Sequence, residues 1–584
     1  GGLQIRGSDH GGNFDHLIIP LKAKIFLGTG KAKNKPLAPR KGLLAVLGPS
    51  ISSFSAVEKG SLSSSSPLIH PPHRSGEQEK FDETLLKFFP FRNMKEEGKI
   101  LNLAVMLTIG LAWWKSIGLR EKGEKHMATM IDSPLFGGLF TTEEMRKVWS
   151  DESTIQKWLD VEAALARAEA KLGIIPRKHA REITRKGRVE LIDLEEMRRQ
   201  LFFTQHPIMP LIRCFQKVCS PAAGEFIHWG ATTQDIMDTG AVLQLREAND
   251  LILRDLRETD RLLAKISRKY KNTVQAGRTH GQHALPITFG YKVAVWAAEI
   301  KRHLQRIRQF SPRVFQGQFA GAVGTLASIG APGFRLQRIL FADLGLAVPQ
   351  IAWHVARDPV AEVIFVYAMI GSTLAQVCNE IVGLQRTEVA EVEEPFHMGK
   401  VGSSTMPHKR NPMMSEGVIA LSKLIHAQVG PALGDMIAEN ERDQRGWMAE
   451  WSFVPETCCL LSGMLTWTNK VLAGLIVYPE NMARNLDALH GLLLSEKVML
   501  KLGEKIGRQA SHEVIYELCM EAFEKRVPLK SLLLKDKRVN QYLTEKQVDD
   551  LLDPRKYTGL AAKFVDRVTG RGMAATKRNR YLLI

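Results

Sequence analysis

Between Asp358 and Glu391 the chain is apolar over too wide an angle for one helix face. Val363, Ile370, Val377 and Leu384 recur every seven residues, and Tyr367, Leu374 and Ile381 fill a second seam. A helix with two apolar seams needs partners on several sides, so it belongs inside a bundle. Asp358 can cap it, and Pro359 suits a first turn. Further helical runs recur near 240–270, 290–310, 413–444 and 454–477. An amphipathic run also leads from Leu139 to Leu172, with Thr141-Thr142-Glu143-Glu144 offering a capping box and Gly173 a stop. Alternating strand patterns are scarce. The expected fold is all-α: a central bundle of five long helices over 239–477, flanked by smaller helical domains at 127–238 and 478–570.

Composition narrows the class. At 584 residues, 44% hydrophobic and 24% charged, the chain is an ordinary globular sequence of several domains. Its six cysteines contain no CxxC pair and no metal-finger spacing, which fits a reducing, cytoplasmic compartment. The net charge of +18 invites a nucleic-acid reading, but residues 1–126 alone hold 19 basic and 11 acidic residues. The remaining +10 is mild for 458 residues, and no aromatic-interleaved RNA motif accompanies it. A nucleic-acid partner is not expected; a basic surface also draws small polyanions.

The first 126 residues read differently. They are rich in Gly, Ser and Pro and show no sustained helical period before residue 80. The apolar stretch Ile100–Trp114 has 15 residues, short of the roughly 18–20 that a membrane span needs. No membrane partner is expected. A Met at 127 follows Lys122-Gly123-Glu124-Lys125, which a purine-rich, ribosome-binding-like run would encode. The expectation is that 1–126 is translated upstream sequence rather than an evolved domain. The run 571–584 reads as a basic tail.

Four segments between the helices carry chemistry. In Gly402-Ser403-Ser404-Thr405-Met406-Pro407-His408-Lys409-Arg410-Asn411-Pro412, glycine and two serines free backbone N–H groups, and Lys409 and Asn411 add donors. Such a loop can close over a carboxylate and present a hydroxyl to it. The others are Gly277-Arg278-Thr279-His280-Gly281-Gln282, His228-Trp229-Gly230-Ala231-Thr232-Thr233-Gln234-Asp235 with Asp238-Thr239, and Thr204-Gln205-His206-Pro207. These resemble, in order, the GSSxMPxKxNP, GRTHxQ, HxGxTSxD and early-histidine regions of the fumarase/aspartase superfamily. The resemblance covers about 132–567.

The resemblance implies a cofactor-independent, metal-free anti β-elimination on a small polycarboxylate, or the reverse addition, in a homotetramer whose active sites are shared between subunits. The apolar seam on the 358–391 helix, too oily for a monomer's surface, points to the same assembly. It implies that Ser403 is the base, with Ser404 as alternative, and that His280 is the general acid, paired with Glu416. His206 is a second acid candidate. Lys409, Asn411, Thr232, Thr233, Arg442, Gln282 and Met406 are implied as substrate contacts.

Two branches compete. Adenylosuccinate lyases, which release fumarate and AMP, resemble the chain at His280, Glu416 and Leu384–Phe396. Their phosphate-binding ERDxSHSSxER segment corresponds to Glu441-Arg442-Asp443-Gln444-Arg445-Gly446-Trp447-Met448-Ala449-Glu450-Trp451, where Trp447 and Trp451 replace Ser and the second Arg. Their early RYSxxEM element is Leu139-Phe140-Thr141-Thr142-Glu143-Glu144-Met145 here. 3-Carboxy-cis,cis-muconate cycloisomerases resemble it more widely: at Leu135–Phe140, Ala163–Ala170, His228–Thr239, Glu441–Trp451, Cys458-Cys459-Leu460 and Leu552-Asp553-Pro554. Bacterial cycloisomerases commonly lack the acid histidine and the later Glu, and this chain keeps both. That combination suggests a lyase on a cycloisomerase-like frame. A catalytically silent structural member is a third reading, which an intact Ser403, His280, Lys409 and Asn411 set argues against.

Overall fold

A computed structural model describes residues 129–397 and 399–570. The readings made for 1–126, for the Ile100–Trp114 run and for the 571–584 tail fall outside the described residues.

Eight helices and a hairpin position the site: α1 Asp151–Leu172, α2 Leu194–Thr204, α3 Thr233–Lys269, hairpin strands β1 Val274–Thr279 and β2 Gln282–Thr288, α4 Phe289–Val314, α5 Asp358–Gln385, α6 Met413–Gly434, α7 Gln444–Ala473 and α8 Arg508–Lys525. The five helices α3 to α7 pack as the expected central bundle and share one apolar core. On α5, Val363, Tyr367, Ile370, Leu374, Val377, Ile381 and Leu384 are all buried. Both seams therefore face the chain's own bundle. By length and composition α5 could cross a membrane; here most of its apolar positions, Phe365 excepted, are covered by α4, α6 and α7. Tyr367, fully buried, donates its hydroxyl to Asn249 Oδ1 at 3.0 Å, so the bundle encloses no orphaned phenol.

Burying the α5 seams removes the reason the sequence offered for assembly. Among the described residues, an apolar face without a partner lies on α6 instead. Gly417 is half-buried, and Met413, Ala420, Leu424, Ala427, Pro431 and Gly434 are exposed. Their spacing alternates between four and three, the period of a helix-packing seam.

Helix limits differ from the sequence reading where side chains compete for the backbone. The first run breaks at Trp149-Ser150, because Ser150 Oγ accepts the Ser153 N–H and starts α1 afresh. Thr142, not Thr141, caps the short helix before it. The break between α6 and α7 falls at Asp435–Asp443, earlier than expected, because Asp443 caps α7 through the Arg445 N–H.

A second core joins α1 and neighbouring short helices to the first turns of α3 and to Phe319, Leu336, Phe341 and Trp353. A third, around α8, packs Val498, Leu502, Val514, Leu518, Leu533 and Val548.

Candidate active site

The capping turn of α3 organises the first group of site residues. Asp235 is fully buried and accepts from the Thr232 N–H at 3.0 Å, Ala320 N–H at 3.0 Å and Gly321 N–H at 2.9 Å. Its Oδ1 also lies 2.9 Å from His354 Nε2. A buried carboxylate with this many donors is well compensated, and it ties the Thr232-Thr233 turn to two other segments. Gln234 donates to the His354 carbonyl and accepts from Arg442 Nε at 3.3 Å. Arg442 also donates to Thr232 Oγ1. His206 Nε2 lies 3.4 Å from Thr233 Oγ1. His206, Thr232, Thr233 and Arg442 thus come together in a single chain.

The second group sits on the β1–β2 hairpin, which the sequence reading treated as a loop. His280 and Gly281 are its two turn residues, with φ of +53° and +77°. Two positive φ values suit the right-handed twist of a two-residue hairpin turn. His280 and Gln282 are exposed at the tip. The base is anchored by Arg278, whose guanidinium meets the buried Glu391 at 2.6 Å, while Asn485 and Gln275 also donate to that carboxylate. Burial opposes ionisation of Glu391, but the hydrogen bonds from Arg278, Asn485 and Gln275 hold its carboxyl below the usual range.

The third group is the loop before α6. Gly402 is buried with no room for a side chain: a Cβ there would meet the Lys409 carbonyl oxygen at 2.2 Å. This close approach folds the loop so that Ser403 Oγ accepts the Met406 N–H at 3.0 Å and the Thr405 N–H at 3.3 Å. Two amides aimed at one hydroxyl oxygen favour its negative form. Ser404, Met406 and Lys409 are exposed and Asn411 is half-buried. Glu416 lies in the first turn of α6, exposed to solvent. That helix start is fixed by buried Glu394, which accepts the Ser415 N–H at 2.6 Å and the Met414 N–H at 3.3 Å.

Among the described residues no hydrogen bond or ion pair joins these three groups. Within a single chain, therefore, no hydrogen bond or ion pair among the described residues links His280 to Glu416 or Ser403 to His206. Nor do the described residues contain a cluster of three or more His, Cys, Asp or Glu able to hold a metal ion.

Trp447 and Trp451 do not form one open wall. Trp447 is buried in the second core and donates Nε1 to Asp238 Oδ1 at 2.8 Å. Trp451 meets it edge-on at 5.1 Å and is partly exposed. Asp238 in turn pairs with buried Arg357 at 2.9 Å, which also holds Glu450. A cavity of about 330 Å³ beside this network is lined by His354, Arg357, Asp435, Asp443, Arg445 and Trp447, among others.

One pair escaped the sequence reading. Glu162 on α1 is 2% exposed, and its Oε1 lies 2.6 Å from His228 Nδ1. The available signal was a carboxylate four residues after Trp158 and three after Leu159, on the apolar stripe of α1. A charge there needs a buried partner.

Residues 138–426 match the family described as "Lyase" and residues 491–568 match "Adenylosuccinate lyase C-terminus". An N-acetyl-S-(2-succino)cysteine lyase of Enterococcus italicus is 44% identical over 439 residues, covering 75% of this chain and 96% of that protein. An adenylosuccinate lyase of Pyrococcus horikoshii is 42% identical over 431 residues, covering 74% and 95%. The crystal structure of 3-carboxy-cis,cis-muconate lactonizing enzyme from Pseudomonas putida superposes with a TM-score of 0.71 at 35% identity, over 75% of this chain and 99% of that one. On these matches the chain is an enzyme of the fumarase/aspartase superfamily.

Proposed function

We propose that the protein is a lyase that cleaves a small succinyl adduct by anti β-elimination and releases fumarate. The observation that carries the substrate size is the fate of Trp447. In the segment that binds a nucleotide phosphate in adenylosuccinate lyases, an indole is tied to Asp238, and Trp451 stands where the second Arg would be. Replacing Ser and Arg by indoles removes charge-assisted bonds worth roughly 1.5–3 kcal/mol each. Arg442, Thr232, Thr233, Lys409 and Asn411 suffice for a small polycarboxylate. The 44% identity to a succinocysteine lyase supports a compact leaving group, and the retained His280 and Glu416 favour elimination over lactonisation. Cycloisomerisation of a carboxymuconate is the second reading, favoured by the Gly446-Trp447 and Ala449-Glu450-Trp451 match.

In this reading Ser403 removes the proton next to the substrate carboxylate, its oxygen stabilised by the Thr405 and Met406 amides. Lys409 and Asn411 stabilise the charge that develops on that carboxylate. His280, oriented by Glu416, protonates the leaving atom. No bond among the described residues links these groups within one chain, and in this reading neighbouring copies complete the site in a homotetramer joined through the α6 seam. The test is a spectrophotometric screen for fumarate release from S-(2-succino)cysteine, its N-acetyl form, adenylosuccinate and argininosuccinate, with 3-carboxymuconate lactonisation in parallel. Turnover of only the muconate would transfer the assignment to the second reading.

A further inference from the structure

The two histidines beside Thr232 and Thr233 are wired in opposite senses. His206 receives the Met209 N–H on Nδ1 at 3.3 Å, so that nitrogen carries no proton. Its Nε2 is then the N–H that faces Thr233 Oγ1. Burial first, then the charges of His228 and Arg442, lower the pKa of His206 and keep the ring neutral.

His228 is the reverse. Its Nδ1 faces Glu162 Oε1 at 2.6 Å, and its own backbone N–H donates to Glu162 Oε2 at 3.0 Å. An imidazolium donates from both ring nitrogens, so in the charged form of His228 Nδ1–H donates to Glu162. One buried carboxylate thus grips both the ring and the backbone of a residue held at φ +63°, a conformation uncommon outside glycine. With Nδ1 engaged, Nε2 has no hydrogen-bond partner among the described residues, and its protonation decides the charge.

We propose that Glu162 is a positioning residue that keeps His228 as an imidazolium in the working enzyme. Its Nε2–H is then offered to the anionic part of the substrate held by Thr232, Thr233 and Arg442, while His206 beside it stays neutral. This inference rests on the polycarboxylate reading of the same site. Three titratable groups act on His228: Glu162 from α1 and Asp235 from α3 favour its charged form, and His206 from the loop after α2 opposes it. Burial works against the charge, but the two carboxylates outweigh it and raise the pKa of His228.

The first measurement needs no substrate. In ¹⁵N-histidine-labelled enzyme, the His228 signal, assigned by its loss in His228→Gln, should titrate above the ordinary value of about 6.5. Glu162→Gln should move that titration down by at least about one unit. In kinetics, Glu162→Gln should raise KM about tenfold near pH 7.5 with kcat changed less than about threefold, a loss of ground-state binding. The alkaline fall of kcat/KM should move to lower pH by a similar unit, and Glu162→Asp, which keeps the charge, should restore part of it. A wild-type His228 that titrates at or below the ordinary value overturns the proposal, as does an unchanged alkaline limb in a folded Glu162→Gln. Should that variant not fold, the wild-type titration decides alone. A charged His228 in an enzyme that releases no fumarate from any succinyl adduct would count against the proposed reaction and leave the Glu162 assignment standing.

Discussion

The Ser403 hydroxyl oxygen accepts the Met406 backbone N–H at 3.0 Å, three residues along the same loop. In the proposed mechanism, the backbone that delivers the serine therefore also stabilises the anion the serine becomes. A serine alkoxide is costly at neutral pH, and fixed amides reduce that cost without reorganisation during the reaction. Ser403→Ala should lower kcat by about 10²–10⁴-fold while substrate still binds. Ser404→Ala, at a position with no such amides, should cost far less. Equal losses in the two variants would remove the distinction.

Gly402→Ala tests the loop rather than the hydroxyl. A methyl group would sit 2.2 Å from the Lys409 carbonyl oxygen, so the loop must open. The expected outcome is a loss of kcat close to that of Ser403→Ala, with the thermal melting of the bundle little changed. Near-normal turnover would show that the close approach is dispensable.

Glu169 predicts a pH dependence. It is fully buried on α1 with neither carboxylate oxygen hydrogen-bonded, and burial, then the charge of Glu162, pushes its pKa up to about 9. Its folded pKa thus exceeds the unfolded value of about 4.3, and the folded state holds a proton that the unfolded state releases. Stability contributed by this group is present at low pH and falls as pH rises between those values. The slope is at most about 1.4 kcal/mol per pH unit, or roughly 3–4 kcal/mol between pH 5 and 8. Glu169→Met should remove this component, so urea melts should show the variant gaining on wild type from pH 5 to pH 8. A constant difference would place the burden elsewhere.

The α6 seam predicts assembly. Leu424→Asp or Ala427→Asp places a charge on an exposed apolar helix face that needs a partner. Light scattering should report smaller species, and activity should fall with them. A wild-type chain that is a stable, active monomer would refute both the seam and the shared site.

Adenylosuccinate should be a poor substrate, with kcat/KM below about 10⁴ M⁻¹s⁻¹, and AMP should inhibit weakly. Efficient formation of AMP would show that residues outside 441–451 rebuild a phosphate site.

The sequence was most informative where one residue type leaves few options. The seven-residue recurrence on α5 identified a core helix, and the loop Gly402–Pro412 carried the resemblance to the superfamily. It was least informative where geometry arises between segments. The same α5 seam suggested an intersubunit surface, but α4, α6 and α7 cover it, and the exposed seam is on α6, whose small residues Gly417, Ala420 and Ala427 draw less notice than Val or Leu. The hairpin at 274–288 carries no clean alternation, because its Ala276/Arg278 bulge shifts the register. Glu162 was legible only as a charge on an apolar stripe, because its meaning depends on His228, 66 residues away.

The lack of any bond among the described residues linking the hairpin tip, the serine loop and the α3 turn within one chain has a genetic consequence. If neighbouring copies complete each centre, a subunit lacking Ser403 and a subunit lacking His280 are defective in different places. Mixed assemblies of two such inactive parents would contain some centres that draw a sound serine from one and a sound histidine from the other. Co-expressed alleles that are each null would then complement, whereas two alleles damaged within the same loop would not.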